Sequence, residues 1–151
     1  MLRFGDDNTV MEKEEHRAIL VGAQINEDIS YSLEELSGLA EAAGIQVLGQ
    51  LVQNIDKINS RTYIGKGKLE ELAELCASMQ ADVVIFNDEL SGMQLRNIEE
   101  GTAVRVIDRT ILKNALDQAR VGRLHILERM REKVTGLDIA LVIANRRGVR
   151  V

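Results

Sequence analysis

Two short stretches have the residue types and spacing that could bind an anion or meet a ligand. Gly65-Lys66-Gly67-Lys68 stands where a helical pattern begins. Glycines let backbone amides approach a phosphate, and a helix start adds positive partial charge, so ATP or GTP is the ligand such a loop would take. The spacing matches neither G-x-x-x-x-G-K-S/T nor G-x-G-x-x-G, so neither familiar phosphate cradle is written here. The plainer reading is a tight loop whose glycines satisfy turn angles. Asp88 and Glu89 follow an apolar run of strand length, where open parallel sheets meet their ligands. They also precede a helix start, whose dipole favours acids, and that alone accounts for them.

A third set is basic. Arg120, Arg123, Arg129 and Arg131 recur with His125 on a long helical stretch, but Asp117, Glu128 and Glu132 interleave, as on an ordinary solvated face. Arg146, Arg147 and Arg150 have no acidic neighbours and are the better candidates for RNA phosphates. No nucleophile–base pair stands out, so no catalytic residue is assigned. His16 and His125 lie too far apart for zinc-type spacing, and no metal site is expected. Cys76, the only cysteine, falls in a Leu/Ala-rich helical pattern and reads as a small buried hydrophobe. A lone thiol gives no intrachain disulfide, and neither a membrane span nor a signal peptide is visible, so a cytoplasmic protein is expected.

The elements that would position these residues follow from hydrophobic periodicity. Residues 17–25, 45–55, 82–87 and 103–108 read as strands. Between the first two, Ser32-Leu33-Glu34-Glu35 has the form of a capping box, and Gly44 sits where a helix C-cap belongs. A second helix follows Lys68, with Leu69, Leu72, Ala73, Leu75 and Cys76 on its inner side. Ser91-Gly92-Met93-Gln94 is a second capping box, opening a helix that Gly101 is expected to end. Strands and helices alternate with no hairpin signal, which calls for an α/β fold: an open, mainly parallel sheet of four to five strands with helices on both faces. Residues 110–134 form a long helical pattern interrupted at Gly122, and residues 137–145 are a candidate fifth strand before a basic tail.

The 151 residues suffice for a single core, and at 3% aromatic that core must be aliphatic. The net charge of −5 is unevenly spread. From Arg109 onward ten Lys/Arg face four Asp/Glu, whereas residues 1–108 hold nine basic and twenty acidic groups. The acidic part does not seek phosphate backbones; the last third could.

Three stretches in order resemble one family. They are Ser32-Leu33-Glu34-Glu35-Leu36; residues 62–72, T-Y-I-G-K-G-K-L-E-E-L; and residues 84–91, V-I-F-N-D-E-L-S, with Gln94, Arg96 and Asn97, closing in Val106-Ile107-Asp108-Arg109-Thr110. Together they are similar to the N-terminal domain of HflX-type ribosome-associated GTPases, over about residues 17–110. The resemblance implies a parallel α/β domain that precedes a helical hairpin and a G domain, in proteins that bind the large ribosomal subunit. It also implies ribosome or RNA contact by the N-terminal part, and nucleotide binding of its own. No P-loop occurs in the sequence, so GTPase activity is not carried over. Residues 111–130 look instead like a helix of polyribonucleotide nucleotidyltransferases, which implies a fusion or chimera. The expected organisation is a flexible arm over 1–16, the α/β domain over 17–110, and an appended helix, strand and tail over 111–151 through which a homodimer could form. The expected function is non-catalytic contact with ribosome or RNA; a small nucleotide-binding domain and a scaffold without activity are the alternatives.

Overall fold

The computed structural model describes residues 16–125, and the side chains among them up to Ala119. Four strands, β1 (Arg17–Gln24), β2 (Gln46–Asn54), β3 (Val83–Phe86) and β4 (Arg105–Asp108), alternate with four helices. These are α1 (Ser30–Ala42), α2 (Lys66–Met79), α3 (Gly92–Thr102) and α4 (Arg109–His125). All strand pairs are parallel, in the order β2-β1-β3-β4. The expected open parallel α/β sheet is therefore present with four strands. The candidate fifth strand, the basic tail with Arg146, Arg147 and Arg150, and the remainder of the long helix lie outside the described residues.

Alternation along the strands decides which helices cover which face. Ile19, Val21 and Ala23 of β1, with Val84, Phe86 and Val106, pack under Leu72 and Cys76 of α2 and Leu95 and Ile98 of α3. Ala18 and Leu20, with Val83, Ile85 and Ile107, pack under Leu33, Leu36 and Ala40 of α1 and Leu112 and Ala115 of α4. β1 and β3 are buried on both faces, which is why their sequences run apolar without a break. Phe86, the one fully buried aromatic among the described residues, packs edge-to-face with Tyr63 at a centroid distance of 5.9 Å.

Several helix ends differ from their sequence signals. α1 begins at Ser30, two residues before the proposed capping box, and its N-cap Ile29 makes no side-chain bond. Ser32 lies inside the first turn because its hydroxyl has a stronger tertiary use, described below. The box at Ser91 is real: its Oγ accepts from the Gln94 amide at 3.1 Å, and Gln94 Oε1 accepts from the Ser91 amide at 2.9 Å. Gly44 takes φ +82 just past α1, the left-handed position a glycine fits without strain. Gly101 does not end α3, which runs on to Thr102 and stops at Ala103 with φ 63. Its role is close packing: a Cβ there would lie 3.0 Å from Leu69 Cδ2 on α2. His16, read as the last residue of the arm, is already tied in, since its carbonyl accepts from the Gln46 amide at 2.8 Å.

Candidate functional site

In a doubly wound sheet the chain leaves β1 to one side to form β2 and returns across it to form β3. The crevice between the C-terminal ends of β1 and β3 is the switch point where such folds bind ligands. Here that crevice is filled by a side chain of the protein itself. Arg109, the first residue of α4, donates from Nη2 to the Ser32 carbonyl at 2.7 Å, to Ser32 Oγ at 3.0 Å and to Asn87 Oδ1 at 2.8 Å. Its Nε donates to the Asn87 carbonyl at 3.2 Å, and Nη1 meets Glu35 Oε1 at 3.1 Å. Asn87 Nδ2 completes the ring by donating to Ser32 Oγ at 3.0 Å. The planar fork of an arginine suits this multiple bonding, which an ammonium could not reproduce. Next to it, buried Asp108 accepts from the Leu90 amide at one oxygen and from the Ile111 amide at the other, both at 2.9 Å. These bonds pin the β3–α3 loop and the first turn of α4.

Asp88 and Glu89 are both exposed at the end of β3. Asp88 accepts a hydrogen bond from the Tyr63 hydroxyl. Burial, then the Asp88 bond and charge, hold the Tyr63 phenol well above its ordinary range. This bond joins the two segments that sequence reading singled out separately, through Tyr63 rather than through a lysine. Glu89 makes no hydrogen bond among the described residues.

The loop before α2 is built differently from the expected glycine turn. Gly65 is the N-cap of α2 with φ −68 and ψ 163, a conformation open to any residue. Only Gly44 among the described glycines has positive φ; in this loop Tyr63 carries it, at φ 68. Gly65 is nonetheless held: its amide donates to Gln53 Oε1 at 2.9 Å, and a Cβ there would lie 3.3 Å from Gln53 Nε2. Gly67 has open space around its missing Cβ. Upstream, Asn59 Oδ1 accepts from the amides of Arg61 at 2.8 Å and Thr62 at 3.0 Å, an Asx turn that folds the loop on itself. The backbones of Asn59 and Tyr63 exchange two further bonds. Helix α3 clamps this turn from the side: Gln94 Nε2 donates to the Asn59 carbonyl at 2.9 Å and Asn97 Nδ2 to the Arg61 carbonyl at 3.0 Å.

Two of the open clefts among the described residues lie near these segments. One of about 490 Å³ lies between this loop, the start of α2 and α3, lined by Asn59, Arg61, Thr62, Lys66, Asn97 and Glu100, with Leu69 and Gly101 as its carbon wall. Lys66 therefore faces a cleft. Lys68, outside it, pairs with Glu71 at 3.1 Å along α2. The other, about 770 Å³, lies past the ends of β1 and β2 and is lined mainly by amides and carboxylates, Glu27, Asp28 and Asp56 among them. Cys76 is buried, and burial pushes its thiol up to about 11, so it stays protonated and packs as a small hydrophobe. Among the described residues no cluster of His, Cys, Asp and Glu could hold a metal ion.

Sequence reading named Lys66 but missed Arg61, Asn59 and the Arg109 network. The signals were present in Asn59, a residue suited to Asx turns before a glycine-containing helix start, and in the Asp108-Arg109 pair where β4 gives way to α4. Neither reveals its partners without the fold.

Comparison with known proteins places this geometry. A family model described as "GTP-binding GTPase N-terminal" matches residues 30–113. The GTPase HflX of Alkalihalophilus pseudofirmus is 37% identical over 145 residues, covering 87% of this chain and 34% of its own length. That of Caldanaerobacter subterraneus is 44% identical over 111 residues, covering 74% of this chain and 26% of its own. That of Escherichia coli is 33% identical over 127 residues, covering 80% and 30%. The chain thus spans about a third or less of the curated relatives it matches. A crystal structure of an SsGBP point variant superposes with a TM-score of 0.51 at 19% identity, over 75% of this chain and 40% of that one, a likeness of fold alone. The first of these relatives matches 87% of the chain, more than residues 1–110 could supply, so HflX likeness continues past Arg109. The expected junction with a nucleotidyltransferase helix finds no support. The chain belongs to the GTP-binding GTPase N-terminal family and corresponds to the N-terminal domain of HflX-type GTPases.

Proposed function

We propose that this is a cytoplasmic, non-catalytic binding domain that contacts the large ribosomal subunit through the C-terminal edge of its sheet. The observation that carries the reading is where the packing leaves chemistry uncovered. The three exposed large hydrophobics among the described residues are Ile25, just past β1, Tyr31, in the first turn of α1, and Met93, in the first turn of α3. All three follow C-terminal strand ends, and both open clefts begin at the same edge. An aromatic at 80% exposure suits a contact surface, where a ring buries area at little entropic cost. The filled crevice at the switch point argues against a nucleotide seated there. Around Asp88 and Glu89, moreover, no nucleophile, base and anion donor converge in the way phosphoryl transfer needs.

The experiment is co-pelleting of the 151-residue chain with purified large ribosomal subunits, beside calorimetry with GTP and ATP. The chain should pellet with the subunits, and the Tyr31→Ala, Met93→Ala double variant should pellet less while melting at the same temperature. It should hydrolyse neither nucleotide. Heat of binding from a nucleotide without any pelleting would overturn the reading in favour of a small-ligand domain.

A further inference from the structure

The cleft beside α2 and α3 is the described concavity whose charged lining is mostly basic. Arg61 and Lys66 both line it, and neither forms an ion pair with a described residue; Glu100 is the one carboxylate in its wall. Its shape is fixed from behind. The Asn59 Asx turn, the Gln94 and Asn97 clamps and the Gln53–Gly65 bond all act on the loop backbone, so the arginine and lysine side chains are left over for a ligand. The α2 N-cap, Gly65, supplies no side-chain acceptor to the first amides of that helix.

We infer that this cleft is a phosphodiester-binding site, formed by Arg61 and Lys66 on a rigid loop, that takes a backbone phosphate of an RNA strand; this rests on the ribosome-contact reading above. A guanidinium with an ammonium beside it is the side-chain chemistry that binds phosphate oxygens, the first in a fork and the second as a point charge. A strand is favoured over a free nucleotide because the cleft offers a base nothing to stack on: its apolar wall is Leu69 and Gly101, with no aromatic. The surrounding charge sharpens the contact. Residues 1–108 carry twenty acidic groups against nine basic ones, so a polyanion is repelled over most of the domain and admitted at this point. A basic cleft in an acidic domain favours that point for contact with a strand.

Arg61→Gln, Lys66→Gln is the decisive variant, since both side chains are exposed and the loop is held through its backbone. Lys68→Gln, two residues farther along α2 but paired to Glu71, is the control. Binding is read by anisotropy with a single-stranded RNA of about ten nucleotides over a salt series, and by subunit pelleting. The double variant should bind the oligonucleotide about tenfold or more weakly, with the salt slope shallower by about 1.4, the value for two lost single-strand contacts. Lys68→Gln should match the unaltered chain. Unchanged oligonucleotide binding in the double variant overturns the site, and if pelleting continues the ribosome reading survives without it. Oligonucleotide binding lost in the double variant, with no pelleting of the unaltered chain, keeps the site and sinks the ribosome reading. No oligonucleotide binding by the unaltered chain overturns the site. GTP or ATP bound more tightly than the strand, and released by the same two substitutions, overturns the choice of a strand.

Discussion

At the ends of β1 and β3 the crevice this fold usually offers to ligands is occupied by Arg109, whereas farther along the same edge the cleft beside α2 and α3 stands open. Both places hold an arginine, and the two arginines are used in opposite ways. Arg109 spends all three of its nitrogens on neighbours within the domain. Arg61 contributes only its backbone to the packing, through its amide to Asn59 and its carbonyl to Asn97. A guanidinium whose donors are consumed internally belongs to stability. One whose main chain is clamped while its head forms no hydrogen bond or ion pair with a described residue is ready for something else. The difference cannot be told from residue type, and it moves the site away from the position that topology alone would favour.

The largest break in this comparison comes from Arg109→Ala. It removes a charged donor to five acceptors on Ser32, Glu35 and Asn87 and leaves buried Asn87 short of its partner, so a loss of about 2–3 kcal/mol is expected. Urea unfolding should show a lower midpoint with an unchanged slope, and Arg109→Lys should recover little because it lacks the fork. If Arg109→Ala unfolds like the unaltered chain, the crevice is not a structural plug and should be reconsidered as a ligand site. Tyr63→Phe is the next in size. It keeps the edge-to-face contact with Phe86 and removes only the hydroxyl bond to exposed Asp88, so about 1 kcal/mol is expected by the same measurement.

Acid titration probes the opposite end of the sheet. Burial raises the Asp82 carboxyl, but the His16 hydrogen bond, the Arg17 amide and the His16 charge outweigh it and leave the group below its ordinary value. A depressed carboxylate stabilises the fold above its unfolded pKa of about 4, and that contribution disappears as pH falls through the lower folded value. Thermal midpoints should therefore fall on acidification below about pH 4 more steeply in the unaltered chain than in Asp82→Asn. Equal slopes would show that this contact is uncoupled from folding. The smallest effect belongs to Lys68→Gln, which loses an i,i+3 pair with half-exposed Glu71 and should cost no more than about 0.5 kcal/mol. A larger loss would mean that the Lys68–Glu71 pair supports α2 more than an ordinary surface pair does.

The sheet was readable from sequence because its signal is periodic and local. Residues 17–24 and 83–86 are apolar almost without interruption since helices cover both faces, and few arrangements besides a doubly covered strand produce that pattern. The Ser91 box was readable because both of its bonds lie within four residues. The Ser32 box was misread for a converse reason: its hydroxyl is bound by Arg109, seventy-seven residues away, and a distant partner leaves no local trace. Gly65 and Gly67 suggested a tight loop whose glycines satisfy turn angles, yet the positive φ of the loop falls on Tyr63, and bonds to Asp88 and Asn59 hold it in place. Of the site, Lys66 was visible as a charge beside glycines. Arg61 and Asn97 could be joined to it only once α3 was seen to lie along the loop.

The Arg109 network also bears on how α4 stands on the domain. The helix begins at the residue whose side chain reaches the main-chain oxygens of α1 and of the segment leaving β3, while Asp108, one residue earlier, ties its first turn to the loop before α3. A helix joined at its base by a single peptide would pivot like a rod on a hinge. α4 is seated more like a post in a socket: tilting it would drag on α1 and on the β3–α3 loop at once, so a sideways load on the helix is borne by the whole end of the sheet.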